Sequence, residues 1–555
     1  MTSAEYVAKR LCEERIEYVF GYQGGSVTDI IAAICKLQGL EYIQAYNEQA
    51  AAFEANAYAR IRNEVGVCVV TNGPGLTNAV SAIADAYCDF VPLLVISGQV
   101  ETVDRNTDAE IRQNGFQEID SIGLVSPITK YAHTIESVNE LPVELEKAIN
   151  IAKKPPYGPV LLDIPIDIQK AEIINLVEYK DETVEAYFSF ELDDVIIAMQ
   201  EAKKPIIVAG GGIRQGRAEH EFYEFVKIVG IPVVRTLAGL DLISDHDVGF
   251  SGLYGEVCSN LAVYNSDLLI VLGCRLSKKQ VGIPDILYGA NAKIIHVDIN
   301  KAELGRTKNE VISINADIKV FLTEILDRLI REEIKFNYKE WINSVELYKK
   351  QHESDTETNM SLELRPYSAL KKISSLLVDS TTITLDVGQN QMWCAQGLRP
   401  KNRQRIICSG GLGCMGFSLP AAIGAYYATH KVVYAFMGDG GFQMNIQELQ
   451  FVSVTRIPIK IVVLNNKGLG MIQEVQMKFS NQEYYGSKIG YAPPDLQGLA
   501  LLYNLQYVEI NSDEDIDGAA LKKTLSNDLP SIVEFKLEGD PLRLLIMYDN
   551  LDAYK

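Results

Sequence analysis

Val432-Val433-Tyr434-Ala435-Phe436-Met437-Gly438-Asp439-Gly440-Gly441 carries an apolar, β-rich run directly into a carboxylate that lies between glycines. Parallel strands present ligand-binding residues at their carboxyl ends in this way. A second apolar run, residues 459–464, ends on the two amides Asn465 and Asn466. If both runs are strands that lie side by side, Asp439 and Asn466 meet at one edge of a sheet.

The oxygens at this edge form a ligand set for a hard cation. Asp439 and Asn466 each supply a side-chain oxygen, and a backbone carbonyl near Gly468 supplies a third. Mg²⁺ bound by few protein oxygens keeps coordination positions free for phosphate. Glycines let the backbone approach a diphosphate closely, and here they are Gly438, Gly440 and Gly441. The stretch therefore predicts a diphosphate and Mg²⁺ site.

The composition describes a soluble globular protein with several domains. The chain has 555 residues, more than the about 250 to 300 that one core supports. Lys and Arg number 52 against 73 Asp and Glu, and the net charge of −21 argues against a nucleic-acid or membrane-surface partner. The nine cysteines form no Cys-x-x-Cys pair, no apolar run reaches membrane-spanning length, and we expect no signal peptide. We therefore expect a cytoplasmic protein.

The first third of the chain alternates strand-like and helical segments, as a parallel α/β sheet does. Residues 40–45 form a strand that delivers Glu48 to the start of an alanine-rich helix. A carboxylate at a helix N-terminus also has an ordinary electrostatic explanation. Several motifs accompany Glu48: Tyr22-x-Gly24-Gly25, Asn47-Glu48-Gln49-Ala50-Ala51, Thr71-x-Gly73-Pro74-Gly75-x-x-Asn78, Gly98-Gln99-Val100, Phe116-Gln117-Glu118-x-x-Asp120 and Lys130.

Together with the stretch around Asp439, these motifs resemble the thiamine-diphosphate (ThDP) enzymes, in particular their acetolactate (acetohydroxyacid) synthase branch. The resemblance covers almost the whole chain and implies an α/β protein with three doubly wound parallel-sheet domains. The domains are a pyrimidine-binding domain over residues 1–170, a central FAD-binding-like domain over 190–340, and a diphosphate and Mg²⁺-binding domain over 361–555. Residues 170–190 and 351–360 lack periodicity and are the expected linkers.

The resemblance implies ThDP and Mg²⁺ as cofactors. It does not decide whether the central domain binds FAD. The triplet Gly210-Gly211-Gly212 is a weak dinucleotide signal. FAD-containing synthases are expected to carry Phe-Asp-Asp where this chain has Leu276-Ser277-Lys278.

The site residues follow from the same resemblance. Asp439, Asn466 and Gly468 are expected to hold the metal, and Glu48 is the expected catalytic glutamate. Two further candidates for the acceptor side are Gln117 and Lys130, which are otherwise a helix-capping amide and a surface lysine. The other cofactor contacts are expected from Gly24, Gly25, Pro74, Asn78, Gln389, Asn390, Gly413, Met415, Gly438, Gly440, Gly441, Gly468 and Met471.

The segment Gly411-Leu412-Gly413-Cys414-Met415-Gly416 also satisfies Gly-x-Gly-x-x-Gly. We expect no strong apolar strand directly before it and find no acidic residue suited to a ribose, so a nucleotide is not expected there. By the resemblance the segment holds the aminopyrimidine. Met415 is then the apolar wedge that bends the cofactor, and the carbonyl of Gly413 accepts a hydrogen bond from its amino group.

The resemblance also implies the reaction class. A bent cofactor brings its own imino group to the weakly acidic thiazolium C2 proton, and Glu48 at the pyrimidine N1′ favours the imino form. CO₂ is then lost from a 2-keto acid, and a two-carbon unit remains. Gly25 stands where related decarboxylases carry an aspartate, and no two of the six histidines are adjacent. We therefore expect decarboxylation of pyruvate and carboligation to a second carbonyl rather than release of an aldehyde.

The acceptor stays open. Val475 replaces a tryptophan of the branched-chain synthases, and Gln23, Asn47 and Asn390 also depart from their pattern. These departures favour, as a first alternative, acetyl transfer to the ketone of a nucleotide-linked deoxysugar or to another aldehyde or ketone. A second alternative is a ThDP and FAD pyruvate oxidase or a simple 2-keto acid decarboxylase. Because family members complete the site between two chains, we expect a homodimer or homotetramer.

Overall fold

A computed structural model describes residues 1–106, 108, 110–174, 179, 190–243, 245–282, 287–307, 309–352, 364–401, 403–481 and 483–537. Within them the chain forms three six-stranded sheets, each parallel throughout and flanked by helices. This confirms the predicted fold class. Most of the two expected linkers lies outside the described residues. None of the described helices combines the length and the apolar character that crossing a membrane requires.

The first sheet has the strand order β2-β1-β3-β4-β6-β5. Its strands are β1 (Tyr18–Gly21), β2 (Glu41–Gln44), β3 (Gly66–Val70), β4 (Leu93–Gln99), β5 (Tyr131–Thr134) and β6 (Pro159–Pro165). Its helices are α1 (Ser3–Glu13), α2 (Thr28–Lys36), α3 (Glu48–Arg62), α4 (Pro74–Cys88), α5 (Ser121–Val125), α6 (Leu141–Lys153) and α7 (Ile166–Lys170). Strands β3, β4 and β6 are buried along their whole length, as expected for a parallel sheet covered on both faces. The strand order reverses between β1 and β3, so a crevice opens at their carboxyl ends.

The second sheet has the order β12-β11-β10-β7-β8-β9, which is the strand order of dinucleotide-binding domains. Its strands are β7 (Pro205–Ala209), β8 (Val233–Arg235), β9 (Asp247–Phe250), β10 (Leu268–Leu272), β11 (Lys293–Asp298) and β12 (Val311–Asn315). Its helices are α8 (Asp193–Glu201), α9 (Gly212–Gln215), α10 (Glu219–Val229), α11 (Val257–Tyr264), α12 (Lys278–Val281), α13 (Ile318–Arg331) and α14 (Lys339–His352). Trp341 and Val345 of α14 lie in the core of this unit. The central unit therefore extends beyond the predicted bound at residue 340.

The third sheet repeats the order of the first, as β14-β13-β15-β16-β18-β17. Its strands are β13 (Thr382–Leu385), β14 (Arg405–Cys408), β15 (Val433–Gly438), β16 (Ile459–Asn465), β17 (Gln506–Ile510) and β18 (Ser531–Lys536). Its helices are α15 (Pro366–Leu376), α16 (Gln389–Gly397), α17 (Ser418–Thr429), α18 (Asp439–Met444), α19 (Glu448–Thr455), α20 (Gly470–Phe479), α21 (Leu496–Leu502), α22 (Asp513–Asp517) and α23 (Ala519–Ser526). Strands β15 and β16 are parallel neighbours with Gly438 opposite Leu464, as the opening stretch requires.

One expectation about this third unit is wrong. Strand β14 runs directly into Ser409 and the glycine-rich segment 410–416, so an apolar strand does precede the Gly-x-Gly-x-x-Gly pattern. Its four residues form a short edge strand, which makes a weak signal in the sequence.

The N-terminal and C-terminal units share one apolar core. Helix α3 packs along α17, and both helices are rich in small residues. A Cβ atom on Gly424 of α17 would lie 2.0 Å from the carbonyl oxygen of Glu54 on α3. Phe53 and Phe417 continue the apolar cluster across this contact. The two units are therefore packed as closely as the interior of a single domain.

Two carboxyl groups are buried beside this contact. Glu54 and Glu448 are both 0% exposed, and Glu448 Oε1 alone of their four oxygens has a partner in the described chain, the N–H of Tyr46 at 3.0 Å. Burial, followed by repulsion from Glu448, raises the pKa of Glu54 well above its ordinary value, and burial raises the pKa of Glu448 to about 8. The other titratable groups that interact with Glu54 are acids or phenols, namely Tyr42, Cys68 and Tyr427. We therefore expect the pair to hold at least one proton at neutral pH.

A Glu54→Gln substitution tests this pair through the pH dependence of stability. An acid whose pKa is raised by folding adds its full stabilisation to the folded state at pH values below its unfolded pKa. This stabilisation is lost as the pH rises through the folded pKa. Glutamine keeps the shape of the protonated acid and does not ionise. The free energy of unfolding of Glu54→Gln relative to wild type, measured in urea, should rise by about 1–3 kcal/mol between about pH 5 and about pH 9. Glu324→Gln, on the exposed side of α13, is the control. If the free energy of unfolding rises equally in both variants, the proposed protonation of the Glu54–Glu448 pair is wrong.

Candidate functional site

The carboxyl ends of β13, β15 and β16 lie side by side, and Asp439 stands at their centre. It is the first residue of α18 and is 1% exposed. The hydroxyl of Tyr491 donates to its Oδ2 at 2.9 Å. Burial raises the pKa of Asp439 to about 6, while Tyr491 and the N–H groups of Gly440 and Gly468 act in the opposite direction. A cation beside this carboxylate would offset the cost of burying its charge.

Asn466 follows β16, and its amide is held in one orientation. Its Nδ2 donates to Gln389 Oε1 at 3.0 Å, and Gln389 Nε2 in turn donates to the carboxylate of Glu474. The amide oxygen of Asn466 therefore faces Gly468 O at 2.8 Å and Asp439 Oδ1 at 3.1 Å. In the opposite orientation its nitrogen would donate to Gly468 O and Asp439 Oδ1, but its oxygen would lie against Gln389 Oε1 at 3.0 Å. The hydrogen-bond relay from Glu474 thus decides which atom points inward.

Three oxygen atoms consequently meet with no hydrogen between them: Asp439 Oδ1, Asn466 Oδ1 and Gly468 O. Such acceptors repel one another unless a cation lies among them. In an octahedral Mg²⁺ shell with bonds of about 2.0–2.1 Å, adjacent oxygens are about 2.9 Å apart. The separations of 2.8 and 3.1 Å match this value. The donor set fits a hard divalent cation and leaves coordination positions open to phosphate oxygens.

Beside this oxygen set, the first turn of α18 is held against the loop of residues 409–417. Asp386, which follows β13, is fully buried and accepts the N–H groups of Gly416 at 3.0 Å and Ser418 at 2.9 Å. Its Oδ1 also lies so close to α18 that a Cβ on Gly441 would approach it to 2.4 Å. Glycine at this position is therefore required by a close approach. Asp386 joins the two segments that flank the crevice.

Met415 lies over the start of α18. Its Cε would be 3.2 Å from a Cβ on Gly440, and Leu469 Cδ2 would be 2.6 Å from the same atom. Gly413, two residues earlier, adopts φ +78°, a conformation that side chains disfavour. In the described chain, Asn390 Oδ1 is buried without a hydrogen-bond partner, which is unusual unless a ligand supplies the donor. An apolar wall and an open acceptor thus adjoin the oxygen set.

Glu48 occupies the corresponding edge of the first sheet. Asn47 caps α3 by accepting the N–H of Gln49 at 2.8 Å, which makes Glu48 the first residue of the helix. Asn78 Nδ2 donates to Glu48 Oε2 at 2.9 Å. A Cβ on Gly75 would lie 3.3 Å from Oε1, and that oxygen makes no hydrogen bond to any described residue. Glu48 is therefore oriented through one oxygen, and the other is available to a ligand.

The structure brings several predicted residues to this same edge. Gly24 packs on Thr71, and a side chain added at Gly25 would meet nothing within 4 Å. Pro74 is the first residue of α4, one turn before Asn78. Gln117, at φ 63°, places its carbonyl oxygen 2.3 Å from where a Cβ of Gly73 would lie. Its loop therefore packs against the turn that precedes α4.

Lys130 does not reach this edge. It immediately precedes β5, so it lies at the amino ends of the parallel strands, opposite to Glu48. Its Nζ donates to the carbonyls of Ile151, at 2.6 Å, and Lys154, where α6 ends. Burial lowers the pKa of Lys130 to about 8. The expected acceptor role is corrected to capping of α6, because the sheet separates the lysine from the crevice.

Other residues of the site escaped the sequence patterns. Asp386 directly follows an apolar strand, as Asp439 does, and that signal could have identified it. Tyr491 and Glu474 belong to no motif and reach the site only through folding. Met471, expected at the cofactor, packs against the core of the C-terminal unit.

A separate cavity of about 440 Å³ lies where the three units meet. It opens at the carboxyl ends of β7, β10 and β11, where the order of the central sheet reverses. Gly211 and Gly212 follow β7, and Asp298, whose pKa burial raises to about 6, ends β11. Arg60 and Arg275 also line the cavity. This arrangement can hold a nucleotide.

Comparison with known proteins gives concordant results. Family models for thiamine pyrophosphate enzymes match in three parts: the N-terminal TPP binding domain over residues 1–124, the central domain over 192–325 and the C-terminal TPP binding domain over 386–535. An acetolactate synthase large subunit of Lactococcus lactis subsp. lactis is 36% identical, over 96% of this chain and 91% of that relative. Probable acetolactate synthase large subunits of Methanococcus aeolicus and Methanocaldococcus jannaschii are 35% and 37% identical, each over 99% of this chain and 93% of the relative.

Proposed function

The chain belongs to the thiamine pyrophosphate enzymes, and from this premise we propose that it decarboxylates pyruvate and joins the two-carbon unit to a second 2-keto acid, as an acetolactate synthase does. The resemblance seen in the sequence is thereby confirmed, and ThDP is the cofactor of the family. The observation that carries the proposed reaction is the near full-length similarity to large subunits of this one enzyme. The alternative reactions have no comparable support.

We assign the diphosphate end of ThDP to the C-terminal unit. Asp439, Asn466 and Gly468 would hold Mg²⁺ through the three converging oxygens, and the metal would carry the diphosphate. Gly438, Gly440 and Gly441 leave the backbone on both sides of Asp439 without side chains. Bound ThDP supplies the electron sink for the loss of CO₂. Gln389 acts indirectly, because it fixes the amide of Asn466.

We assign proton exchange with the pyrimidine to Glu48. Asn78 holds Oε2, so Oε1 is the oxygen that can exchange a proton with the ring nitrogen. Met415 and Leu469 would exclude water from the reacting end, and the Gly413 carbonyl would accept from the amino group. The open space at Gly25 is the proposed place of the second keto acid, and Gln117 stays the predicted polar group of the acceptor side.

We propose that two chains complete each site. Glu48 makes its hydrogen bond within the N-terminal unit, and no bond in the described chain links it to Asp439. Apolar side chains are exposed on the segments around both edges: Tyr22, Tyr46, Phe116, Leu412 and Met444. A second copy that covers these segments would bury them and bring the two edges together. A homodimer, or a homotetramer built from it, and a cytoplasmic location stay predictions.

We propose FAD as the occupant of the cavity between the three units. Asp298 would accept from a ribose hydroxyl, and Gly211 and Gly212 leave room for the diphosphate. The replacement of the expected Phe-Asp-Asp by residues 276–278 is the counter-argument. The purified protein should show flavin absorbance, which the apoprotein should recover on adding FAD. A colourless protein that does not take up FAD contradicts this assignment.

The metal assignment predicts that Asp439→Asn lowers ThDP affinity in the presence of Mg²⁺ by at least about tenfold, because one charged ligand is lost. Isothermal titration of the apoprotein with ThDP and Mg²⁺ measures the effect. Asp495→Asn is the control, since Asp495 caps α21 by accepting the N–H of Gly498 at 3.0 Å. Equal affinities for the wild type and Asp439→Asn would exclude the site.

The proposed reaction is tested by incubating the protein with pyruvate, ThDP and Mg²⁺, and identifying the products by mass. Acetolactate is the expected product, and 2-ketobutyrate or other ketones and aldehydes are added in separate reactions to define the acceptor. Acetaldehyde alone, or oxygen uptake coupled to acetate formation, would favour the decarboxylase or oxidase instead. A product formed only with an added ketone would favour the acetyl-transfer alternative.

Glu48→Gln is the matched variant for this assay. It keeps the size of the side chain and the contact with Asn78, so ThDP affinity should change by less than about threefold. Exchange of the ThDP C2 proton, followed by NMR, should fall by at least about a hundredfold. Exchange near the wild-type rate would remove Glu48 from the reaction.

A further inference from the structure

We propose that Asp89, together with Asp85 through Ser409, positions the loop 409–417 of the C-terminal unit and thereby sets the affinity for ThDP. The inference rests on the proposed role of this loop, whose Gly413 and Met415 border the cofactor site. Asp89 itself contacts neither the metal ligands nor Glu48 among the described residues. Its effect would pass entirely through the loop backbone.

The carboxylate of Asp89 binds two consecutive N–H groups of the loop. Gly410 N–H donates to Oδ2 at 2.9 Å, and Gly411 N–H donates to Oδ1 at 2.8 Å. Each oxygen therefore holds one peptide group, which restrains both the position and the rotation of this part of the backbone. Two glycines in succession have little intrinsic conformational preference. An external restraint is thus needed to select one conformation.

Basic groups of two units hold Asp89 in place. Arg60 of α3 donates to its Oδ2 at 3.0 Å, and Arg60 also donates to the carbonyl of Cys408 at the end of β14. Arg275 of the central unit lies 3.8 Å from Oδ1 and donates to the carbonyl of Cys88 at 2.7 Å. The side chain of Asp89 is 10% exposed, so these charge-assisted contacts are only weakly screened by solvent.

A second carboxylate of the N-terminal unit restrains the following residues. Asp85, which is fully buried, accepts the hydroxyl of Ser409. The same Ser409 oxygen accepts the N–H groups of Gly413 at 3.0 Å and Cys414 at 2.8 Å. Asp85 therefore orients Ser409, and Ser409 orients the peptide groups next to Met415. The Asp89 carboxylate and the Ser409 oxygen therefore bind four backbone N–H groups of the loop.

Asp89→Asn tests the proposal. Asparagine keeps the size of the side chain, but its amide group cannot accept from the second glycine N–H and no longer pairs with Arg60. We expect the dissociation constant of ThDP, measured by isothermal titration of the apoprotein with Mg²⁺ present, to rise at least about tenfold. At saturating ThDP, kcat should fall while KM for pyruvate changes by less than about threefold.

Asp267→Asn is the matched control. Asp267 also binds two consecutive N–H groups with its two oxygens, those of Lys203 at 2.8 Å and Lys204 at 2.9 Å, but it does so within the central unit. It should lower the melting temperature of the apoprotein by an amount similar to Asp89→Asn and leave ThDP affinity within about twofold. Equal losses of ThDP affinity in both variants would overturn the proposal, as would an unchanged affinity in Asp89→Asn.

If Asp89→Asn does not fold, Ser409→Ala tests the same restraint of the loop 409–417. It removes one oxygen and therefore the acceptor for Gly413 and Cys414. A rise of about threefold or more in the ThDP dissociation constant is expected, and a rise of less than about twofold overturns the proposal. These outcomes are distinct from failure of the proposed reaction, because ThDP affinity is measured without pyruvate.

Discussion

Mutual repulsion among three inward-facing oxygen atoms is the constraint on which the site depends. The Asn466 oxygen lies 2.8 Å from Gly468 O and 3.1 Å from Asp439 Oδ1, and the relay from Glu474 through Gln389 disfavours turning the asparagine nitrogen inward. A chain with a net charge of −21 has few spare cations of its own for such a place. The arrangement is favourable when a divalent cation occupies it, and the proposed diphosphate then completes the coordination.

The N-terminal and C-terminal units both place their site residues at the carboxyl ends of parallel strands. Both sheets have the same strand order, which reverses between β1 and β3 in the first sheet and between β13 and β15 in the third. Gly25 and Gly75 follow β1 and β3, Glu48 follows the neighbouring strand β2, and Asp386 and Asp439 follow β13 and β15. Ligand sites in open parallel sheets occur at such reversal points because the loops diverge there and leave a crevice. One sheet thus supplies an acid and the other an anion-binding edge.

Hydrogen bonds link the N-terminal and C-terminal units close to the proposed site. Asn445, just after α18, donates to Gln49 beside Glu48, and Glu448 accepts from the backbone of Tyr46. Asp85 and Asp89 of the N-terminal unit, in turn, bind the loop of the C-terminal unit that carries Met415. The apolar packing of α3 on α17 joins the same two units. The metal-binding edge and the helix that begins with Glu48 are therefore mechanically connected within one chain.

The sequence by itself determined the alternation of strands and helices, the ends of two strands at Asp439 and Asn466, and the place of Glu48 at the start of α3, while the resemblance supplied the three domains and the structure the pairing of β15 with β16. The features that the sequence determined follow from local patterns, since apolar runs predict strands and the residues after a parallel strand lie at its ligand-binding edge. The roles of Glu474, Tyr491 and Asp89, and the capping position of Lys130, were decided by the tertiary structure alone. Each depends on partners far away in the chain or on which end of a sheet a residue occupies. Residue spacing does not encode such contacts, because they arise only when separate sheets and helices pack together.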